Sequence, residues 1–225
     1  MFYVQETAKL VPSRVDDYLE AAESRLMPLY HDLGLRAVAL WETVTTQGHW
    51  PEVISLWEMD GLDAYSGILA EQYSDGPTGR RFRQWLEQLG EVATSTQGLV
   101  MRPSADTATL GQLKNQGLDV EVCVHETVKT TPNMSRRYAE HVSKHWQPIA
   151  ERHGRSMLGV YSVAWRNAEV INIWALDGWE ALNKATQTMP EDRDVWAWTE
   201  IAMSLRQDWD DRILHALPFS PLRSS

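Results

Sequence analysis

Cysteine and long apolar runs are scarce in this chain of 225 residues. A single Cys123 excludes an intrachain disulfide and the thiolate clusters of zinc or iron–sulfur sites. No apolar run approaches the roughly 18 to 20 residues that a membrane helix needs. The start of the chain lacks the basic and apolar segments of a signal peptide. We therefore expect a globular, cytoplasmic protein with no membrane partner.

Positive charge and phenylalanine are also in short supply. The chain carries 21 Lys and Arg against 31 Asp and Glu, a net charge of −10, which disfavours nucleic acid as a partner. G-x-G-x-x-G, P-loop and G-x-S-x-G motifs are absent, so dinucleotide-binding, P-loop and α/β-hydrolase functions have no support. Tryptophan is abundant, with eleven residues against three phenylalanines, and this predicts a region lined with indole rings.

The two halves of the chain resemble each other. A shift of 120 positions aligns residues 2–41 with 122–161 without a gap, and the identical pairs include Glu6/Glu126 and Tyr18/Tyr138. Further on, EVISLWEMDGLDA (52–64) matches EVINIWALDGWEA (169–181). This self-similarity predicts a tandem duplication.

Hydrophobic periodicity predicts the element order β-α-β-β-α-β in each half. In both halves the first helix is predicted to begin at an N-cap, Ser13 or Asn133, and to be kinked near its end by Pro28 or Pro148. The last helix of the second half is predicted over residues 191–212 and the closing strand over 213–217.

This order is that of a ferredoxin-like unit, whose antiparallel sheet is covered by helices on one face only. The predicted fold class is α+β, with two tandem ferredoxin-like repeats over 1–103 and 120–225 and a polar linker over 104–119. Because each repeat leaves one sheet face open, we expect these faces to pack together as an intramolecular dimeric α/β barrel.

Three segments resemble the NIPSNAP-like branch of the dimeric α/β-barrel superfamily. They are PIAERHG (148–154), the pair EVINIW (169–174) and EVISLW (52–57), and PFSPL (218–222). The resemblance implies the barrel fold, in a superfamily that includes cofactor-free oxygenases, cyclases and haem-handling enzymes. Where that family tends to place a histidine in the third strand, this chain has Ser55 and Asn172.

Strand parity predicts an aromatic cavity, provided that the more aliphatic side of each strand faces the helices. The opposite parity then provides a lining that suits a flat or bulky apolar ligand. These predicted substrate-binding residues are Tyr3, Gln5, Trp41, Ser55, Trp57, Cys123 and Trp174, with Trp50 as a lid on the loop 45–51. The alternative is that the same side chains simply fill the barrel.

His125 is the predicted catalytic acid or base, because it stands in mid-strand where the first half has Gln5. Tyr161 and Asn172 are predicted to orient a substrate oxygen. Glu6 and Glu126 recur in both halves, which favours a shared structural task over catalysis. The pair His141 and His145 has the spacing of two metal ligands but lacks an evident third, so no metal site is predicted.

These features predict a cofactor-independent enzyme that acts by acid/base chemistry on a small apolar or aromatic molecule. Isomerisation, elimination or cyclisation would fit such a site. The alternative function is a carrier or sensor without turnover that binds a hydrophobic ligand or haem. Association of two copies as a homodimer stays open.

Overall fold

The computed structural model describes residues 1–223, and they form two compact units. The first unit contains Met1–Val100 and Leu217–Pro221, and the second contains Met101–Ala216 together with residues 222–223. Among the described residues, no helix combines the length and the apolar character that crossing a membrane requires.

The first unit contains an antiparallel sheet whose middle strand is β3 (Glu52–Met59). Register pairs Gln5 with Leu56 on one side, and Trp41 with Ile54 on the other. The fourth strand in chain order, β4 (Ala93–Pro103), begins in the first unit. Its last three residues belong to the second unit. The strands are β1 (Phe2–Leu10), β2 (Arg36–Thr43), β3 (Glu52–Met59) and β4 (Ala93–Pro103).

A helix broken by one π-helical turn follows β1, and two further helices follow β3. The π-helical turn, Ala22–Leu26, comes directly before the turn that holds Pro28. A proline cannot donate to the i−4 carbonyl, and the wider turn accommodates this loss within the helix. The helices are α1 (Val15–Ala21), α2 (Met27–Asp32), α3 (Leu62–Gln72) and α4 (Pro77–Val92).

The second unit repeats this order after a short helix of its own. Its strands are β5 (Val122–Thr130), β6 (Arg155–Val163), β7 (Glu169–Leu176) and β8 (Arg206–Ala216). They form a sheet in the order β8-β5-β7-β6, and β6 also pairs with the end of β4. The helices are α5 (Leu110–Asn115), α6 (Ser135–His141), α7 (Gln147–Arg152), α8 (Gly178–Thr188) and α9 (Arg193–Leu205), with a π-helical turn at Val142–Trp146 between α6 and α7.

Two N-cap predictions differ from the structure, and the region 104–119 contains an element that the sequence pattern did not predict. Ser13 lies inside a 3-10 turn and Asn133 has a positive φ, so neither residue caps the helix that follows. The predicted linker region contains α5, whose N-terminus has a capping box made by Thr109 and Gln112.

The last helix also ends earlier than predicted. α9 stops at Leu205, and the residues from Arg206 onward form β8 rather than two more helical turns. β8 pairs with β5 along its length, with Asp211 opposite Glu126. Pairing with a neighbouring strand therefore outweighs the local helical pattern of a polar segment.

The helices pack on the strand face that carries Trp57 and Trp174. Trp57 contacts Tyr30 of α2 at 4.7 Å between ring centroids, and Trp174 contacts Trp146 at 6.3 Å. Ser55 and Asn172 share that face, because each lies two positions before one of these tryptophans. Four residues predicted on the opposite face were therefore placed wrongly: Ser55, Trp57, Asn172 and Trp174.

The junction of α3 and α4 depends on a glycine. A Cβ atom on Gly79 would meet the Ser74 carbonyl oxygen and lie 2.9 Å from that of Glu71, both backbone atoms that cannot rotate away. We expect Gly79→Ala to lower the free energy of unfolding by about 1–3 kcal/mol. Gly67, inside α3, has open space at its Cβ position, so Gly67→Ala is expected to raise it by about 0.5–1 kcal/mol. Urea denaturation measures both, and equal effects would contradict the steric argument.

Candidate functional site

A small cavity lies between the sheet and the helices of the first unit. Its volume is about 100 Å³, and aromatic and aliphatic side chains make up most of its wall around one carboxylate. Its mouth is formed by exposed residues, among them Leu86, Thr96 and Gly98. We call it the Glu6 cavity, and it is lined by Glu6, Thr7, Ala8, Tyr18, Tyr30, Phe82, Trp85, Leu86, Leu89, Thr96, Gln97 and Gly98.

Glu6 is the only ionisable carboxyl group in this lining. β1 directs it toward the helices, where it accepts a hydrogen bond of 2.5 Å from the Tyr30 hydroxyl. Burial raises the pKa of Glu6 to about 7, and the bond from Tyr30 acts in the opposite direction. Near neutral pH this carboxyl group therefore exists in both protonation states, as a general acid or base requires.

Two tyrosines stand beside this carboxylate. The pKa values of Tyr18 and Tyr30 are raised, first by burial and then by the charge of Glu6. Both phenols therefore stay protonated and can donate hydrogen bonds. Tyr18 packs on Trp85 of α4, with 6.0 Å between ring centroids, so the donors are held against an aromatic wall.

In the second unit, a tryptophan stands where the first unit has a leucine. The shift of 120 residues aligns Trp146 with Leu26. Trp146 stacks on Trp198 with 5.8 Å between ring centroids, and Tyr138 packs on the same indole at 6.2 Å. At this position the second unit thus has the large side chain of Trp146, where the first unit has the smaller side chain of Leu26.

Glu126, which the shift of 120 residues aligns with Glu6, is hydrogen-bonded to an amide. Glu126 accepts a hydrogen bond of 2.9 Å from Asn172, whose Nδ2 also lies 3.1 Å from the Tyr138 hydroxyl oxygen. Across the strand pair, partial burial and then the charge of Glu126 raise the pKa of Asp211 to about 7. The structure therefore places Asn172 in a hydrogen-bonded group with Glu126, away from His125 and Tyr161.

His125 lies on the sheet face turned away from the helices of its unit. It is fully buried beside Cys123 and opposite Ile173. Burial, with the charge of Arg212, lowers the pKa of His125 to about 3, so the imidazole is neutral and weakly basic near pH 7. Burial likewise raises the pKa of the Cys123 thiol, which argues against a reactive thiolate.

Tyr161 lies on the same sheet face as His125, and its side chain occupies space that is open because Gly159 has no side chain. Register places it opposite Ile171, and its ring and hydroxyl occupy the space that a Cβ atom on Gly159 would need. The structure therefore brings Tyr161 to the same sheet face as His125, while Asn172 lies on the other face.

The remaining predicted binding residues are distributed over the first unit. Tyr3 donates a hydrogen bond of 2.9 Å to Glu58, and Gln5 and Trp41 are buried on the same face. Trp50 is 36% exposed and donates to Glu42 at 2.9 Å. These residues lie outside the lining of the Glu6 cavity.

The two histidines His141 and His145 lie next to each other in space. The rings of His141 and His145 have centroids 5.1 Å apart, and burial and the neighbouring ring lower the pKa of His141. Within residues 1–223, no group of three or more His, Cys, Asp or Glu side chains is arranged to hold a metal ion.

Recurrence in the sequence singles out Glu6, but it does not identify the partners of Glu6. Strand parity alone predicts that the aliphatic positions face the helices, and it takes no account of the aromatic residues on the helices themselves. Tyr18, Tyr30 and Trp85 all lie on helices and point toward the sheet. Aromatic rings on a helix prefer aromatic neighbours, and this preference would have predicted that Trp57 faces them.

Comparison with solved structures shows that the fold is shared. An anthrone oxidase-like protein matches with a TM-score of 0.68 at 12% identity, covering 100% of this chain and 96% of its own. A "putative monooxygenase" from Lactobacillus acidophilus matches at 0.60 and 12% identity, covering 96% and 93%. A NIPSNAP family protein from Agrobacterium tumefaciens matches 48% of this chain and 91% of its own, at 19% identity and a TM-score of 0.41.

The matches over the whole chain confirm the predicted fold class. NIPSNAP-family structures are among the matches over about half of the chain, and both the resemblance to that family and the tandem duplication stay predictions. No protein-family model matches the sequence, and no curated protein matches it either.

Proposed function

We propose that this protein is an enzyme that removes a proton from a small aromatic or apolar carbonyl or phenol compound bound in the Glu6 cavity. The observation that carries the proposal is the half-buried Glu6, whose pKa is raised to about 7 inside an aromatic cavity. A base with a pKa near the working pH combines sufficient basicity with a large ionised fraction. No organic cofactor is needed for this step.

Glu6 accepts the proton, and the phenols of Tyr30 and Tyr18 stay protonated beside it. A hydroxyl group that donates to the developing enolate or phenolate oxygen would lower the energy of that anion. Trp85 and Phe82 would hold the ring by apolar contact. Return of the proton to a different carbon gives isomerisation, in which substrate and product have the same composition.

An oxygen-dependent outcome is favoured by the names of the similar structures, which include a monooxygenase and an anthrone oxidase-like protein. In this branch the carbanion is oxidised by molecular oxygen. The substrate carbon loses two hydrogens, one oxygen atom becomes its new carbonyl oxygen, and the other leaves as water. The electrons pass from the substrate carbon to oxygen, so the equation balances without a metal or flavin.

The cavity limits the size of the reacting group. Its volume of about 100 Å³ is smaller than the roughly 150 Å³ of an apolar cavity that holds benzene. A single aromatic ring would therefore enter only in part, and the rest of the substrate would extend past the exposed Leu86. A haem macrocycle does not fit a space of this size.

His125 is the competing assignment for the base. It is buried on the opposite sheet face, and its pKa of about 3 makes it a poor proton acceptor at neutral pH. A carrier without turnover is the other competing function. Substitution of Glu6 distinguishes Glu6 from His125 as the base. Turnover measurements distinguish an enzyme from a carrier.

A panel of single-ring phenols, hydroquinones and aryl ketones tests the proposal directly. We expect product formation from at least one member, with deuterium exchange at the acidic carbon under nitrogen and oxygen uptake equal to substrate consumed in air. Exchange without oxygen uptake would identify the isomerase branch. Binding of panel members with neither exchange nor turnover would favour the carrier and contradict the enzyme.

A further inference from the structure

The two tyrosines beside Glu6 differ in whether their hydroxyl groups have a hydrogen-bond partner. The Tyr30 hydroxyl donates to Glu6. Tyr18 lines the same cavity, is 4% exposed and packs with its ring on Trp85. Within residues 1–223 the Tyr18 hydroxyl makes no hydrogen bond, although the charge of Glu6 acts on it. Tyr18 therefore brings an unused donor to the Glu6 cavity.

The second unit has a partner for the corresponding hydroxyl group. The shift of 120 residues aligns Tyr18 with Tyr138, whose hydroxyl oxygen lies 3.1 Å from Nδ2 of Asn172. At the aligned position of β3 the first unit has Ser55, a shorter residue. The Ser55 Oγ accepts a hydrogen bond of 2.8 Å from Nε1 of Trp57. The first unit thus lacks, beside Tyr18, the amide that occupies the hydroxyl group in the second.

The Glu6 cavity has no positive charge that could stabilise an anion. Its lining, which lies within residues 1–223, contains no Lys, Arg or His side chain. Thr96 and Gln97 are exposed, and Thr7 follows Glu6 directly in β1, so the Thr7 side chain points to the other sheet face. Tyr18 is therefore the buried, unpartnered donor that can serve a substrate oxygen when that oxygen becomes negative.

We propose that Tyr18 is the catalytic residue that donates a hydrogen bond to the substrate oxygen, and that Tyr30 is a positioning residue for Glu6. The inference rests on the proposed function. Glu6 accepts the substrate proton, the electron pair of the broken bond is shared with the substrate oxygen, and Tyr18 donates to that oxygen while it keeps its own proton. Because ionised Glu6 repels anions and the lining has no cation, the substrate class narrows to compounds whose reacting end is uncharged.

Binding of 4-nitrophenolate to Glu6→Gln tests the donor without turnover. The amide is uncharged, as Glu6 is after it has accepted a proton, and the ligand supplies a negative oxygen. In the Glu6→Gln background, Tyr18→Phe should lower the affinity for 4-nitrophenolate about ten- to hundredfold, because a hydrogen bond to a charged oxygen is lost. The affinity for nitrobenzene, which has the ring but not this oxygen, should change less than about twofold. Isothermal titration calorimetry measures both affinities.

Two further variants in the same background are controls. Tyr138→Phe removes the aligned hydroxyl group from the second unit and should change 4-nitrophenolate affinity less than about twofold. Tyr30→Phe should change it less than about threefold, because the Tyr30 hydroxyl is directed to residue 6 rather than to the ligand. Circular dichroism verifies the fold of each variant. Tyr18→Phe should fold normally, since it removes no hydrogen bond within the described chain and keeps the ring against Trp85.

Four results would overturn the assignment of Tyr18. They are unchanged 4-nitrophenolate affinity in Tyr18→Phe, an equal loss in Tyr138→Phe, an equal loss for nitrobenzene, and no binding of 4-nitrophenolate to Glu6→Gln. Failure of the proposed base gives a different pattern. If Tyr18→Phe weakens 4-nitrophenolate binding while Glu6→Gln alone leaves turnover intact, the donor is correct and the base is wrong.

Discussion

Glu6→Gln is expected to reduce turnover by about 10²- to 10⁴-fold without unfolding the protein. The amide keeps the size of the side chain and can still accept a hydrogen bond from the Tyr30 hydroxyl, which donates to Glu6 at 2.5 Å. It cannot accept a proton from carbon. Steady-state kinetics on the best substrate of the panel measures the loss, and circular dichroism verifies the fold.

The pH dependence of turnover identifies the group that acts. Glu6 must be ionised to accept a proton, and its pKa is raised to about 7, so turnover should increase about tenfold between pH 6 and pH 8. The bond from Tyr30 lowers the pKa of Glu6, so Tyr30→Phe should move the midpoint of this profile to higher pH. An unperturbed glutamate would instead give a midpoint of about 4.3.

His125→Gln is the control for this experiment. If Glu6 is the base, this variant should keep turnover within about threefold of the wild type, because the imidazole is neutral and lies outside the Glu6 cavity. Loss of turnover in His125→Gln together with full activity in Glu6→Gln would transfer the role of the base to His125.

Trp174→Ala is expected to lower the free energy of unfolding by about 3–5 kcal/mol. Trp174 is fully buried, and its ring packs edge-on against Trp146 within the core of the second unit. Removing the indole leaves a cavity between the sheet and the helices that the stacked Trp146 and Trp198 cannot easily close. Chemical denaturation followed by circular dichroism measures the change.

Two variants separate packing from other effects of losing a tryptophan. The Trp174 Nε1 has no hydrogen-bond partner in the described part of the chain, so Trp174→Phe should cost only about 1–2 kcal/mol. Trp196 is 61% exposed, and Trp196→Ala should cost less than about 1 kcal/mol, including its bond to the Pro190 carbonyl. A cost for Trp174→Ala close to that for Trp196→Ala would show that the second core is not tightly packed.

Much of the element order could be predicted from the sequence. Helical periodicity is strong over the first helix, and Gly34 and Gly154 end the two equivalent helices with positive φ, as only glycine does readily. The end of α9 could not be predicted in this way. Apart from Trp209, residues 206–211 are polar and show no alternation, and their strand conformation comes from pairing with β5.

The candidate site was predicted only in part. Strand alternation correctly separated the two faces of each strand, but it could not say which face the helices cover. Two sets of strand residues could equally have packed against the helices. One is the aliphatic pair Ile54 and Ile173, and the other is the aromatic pair Trp57 and Trp174. The decision depends on which side chains the helices bring to the sheet, and these contacts join residues far apart in the chain.

The sequence by itself determined the repeated β-α-β-β-α-β order, the α+β class and the recurrence of Glu6 at position 126, because local periodicity and a fixed offset are encoded along the chain. Only the tertiary structure decided that Tyr30, 24 positions away, donates to Glu6, and that Trp146 and Trp198 stack in the second unit. The physical reason is that burial and hydrogen bonding shift the pKa of a carboxyl group, and both depend on neighbours in space rather than in sequence.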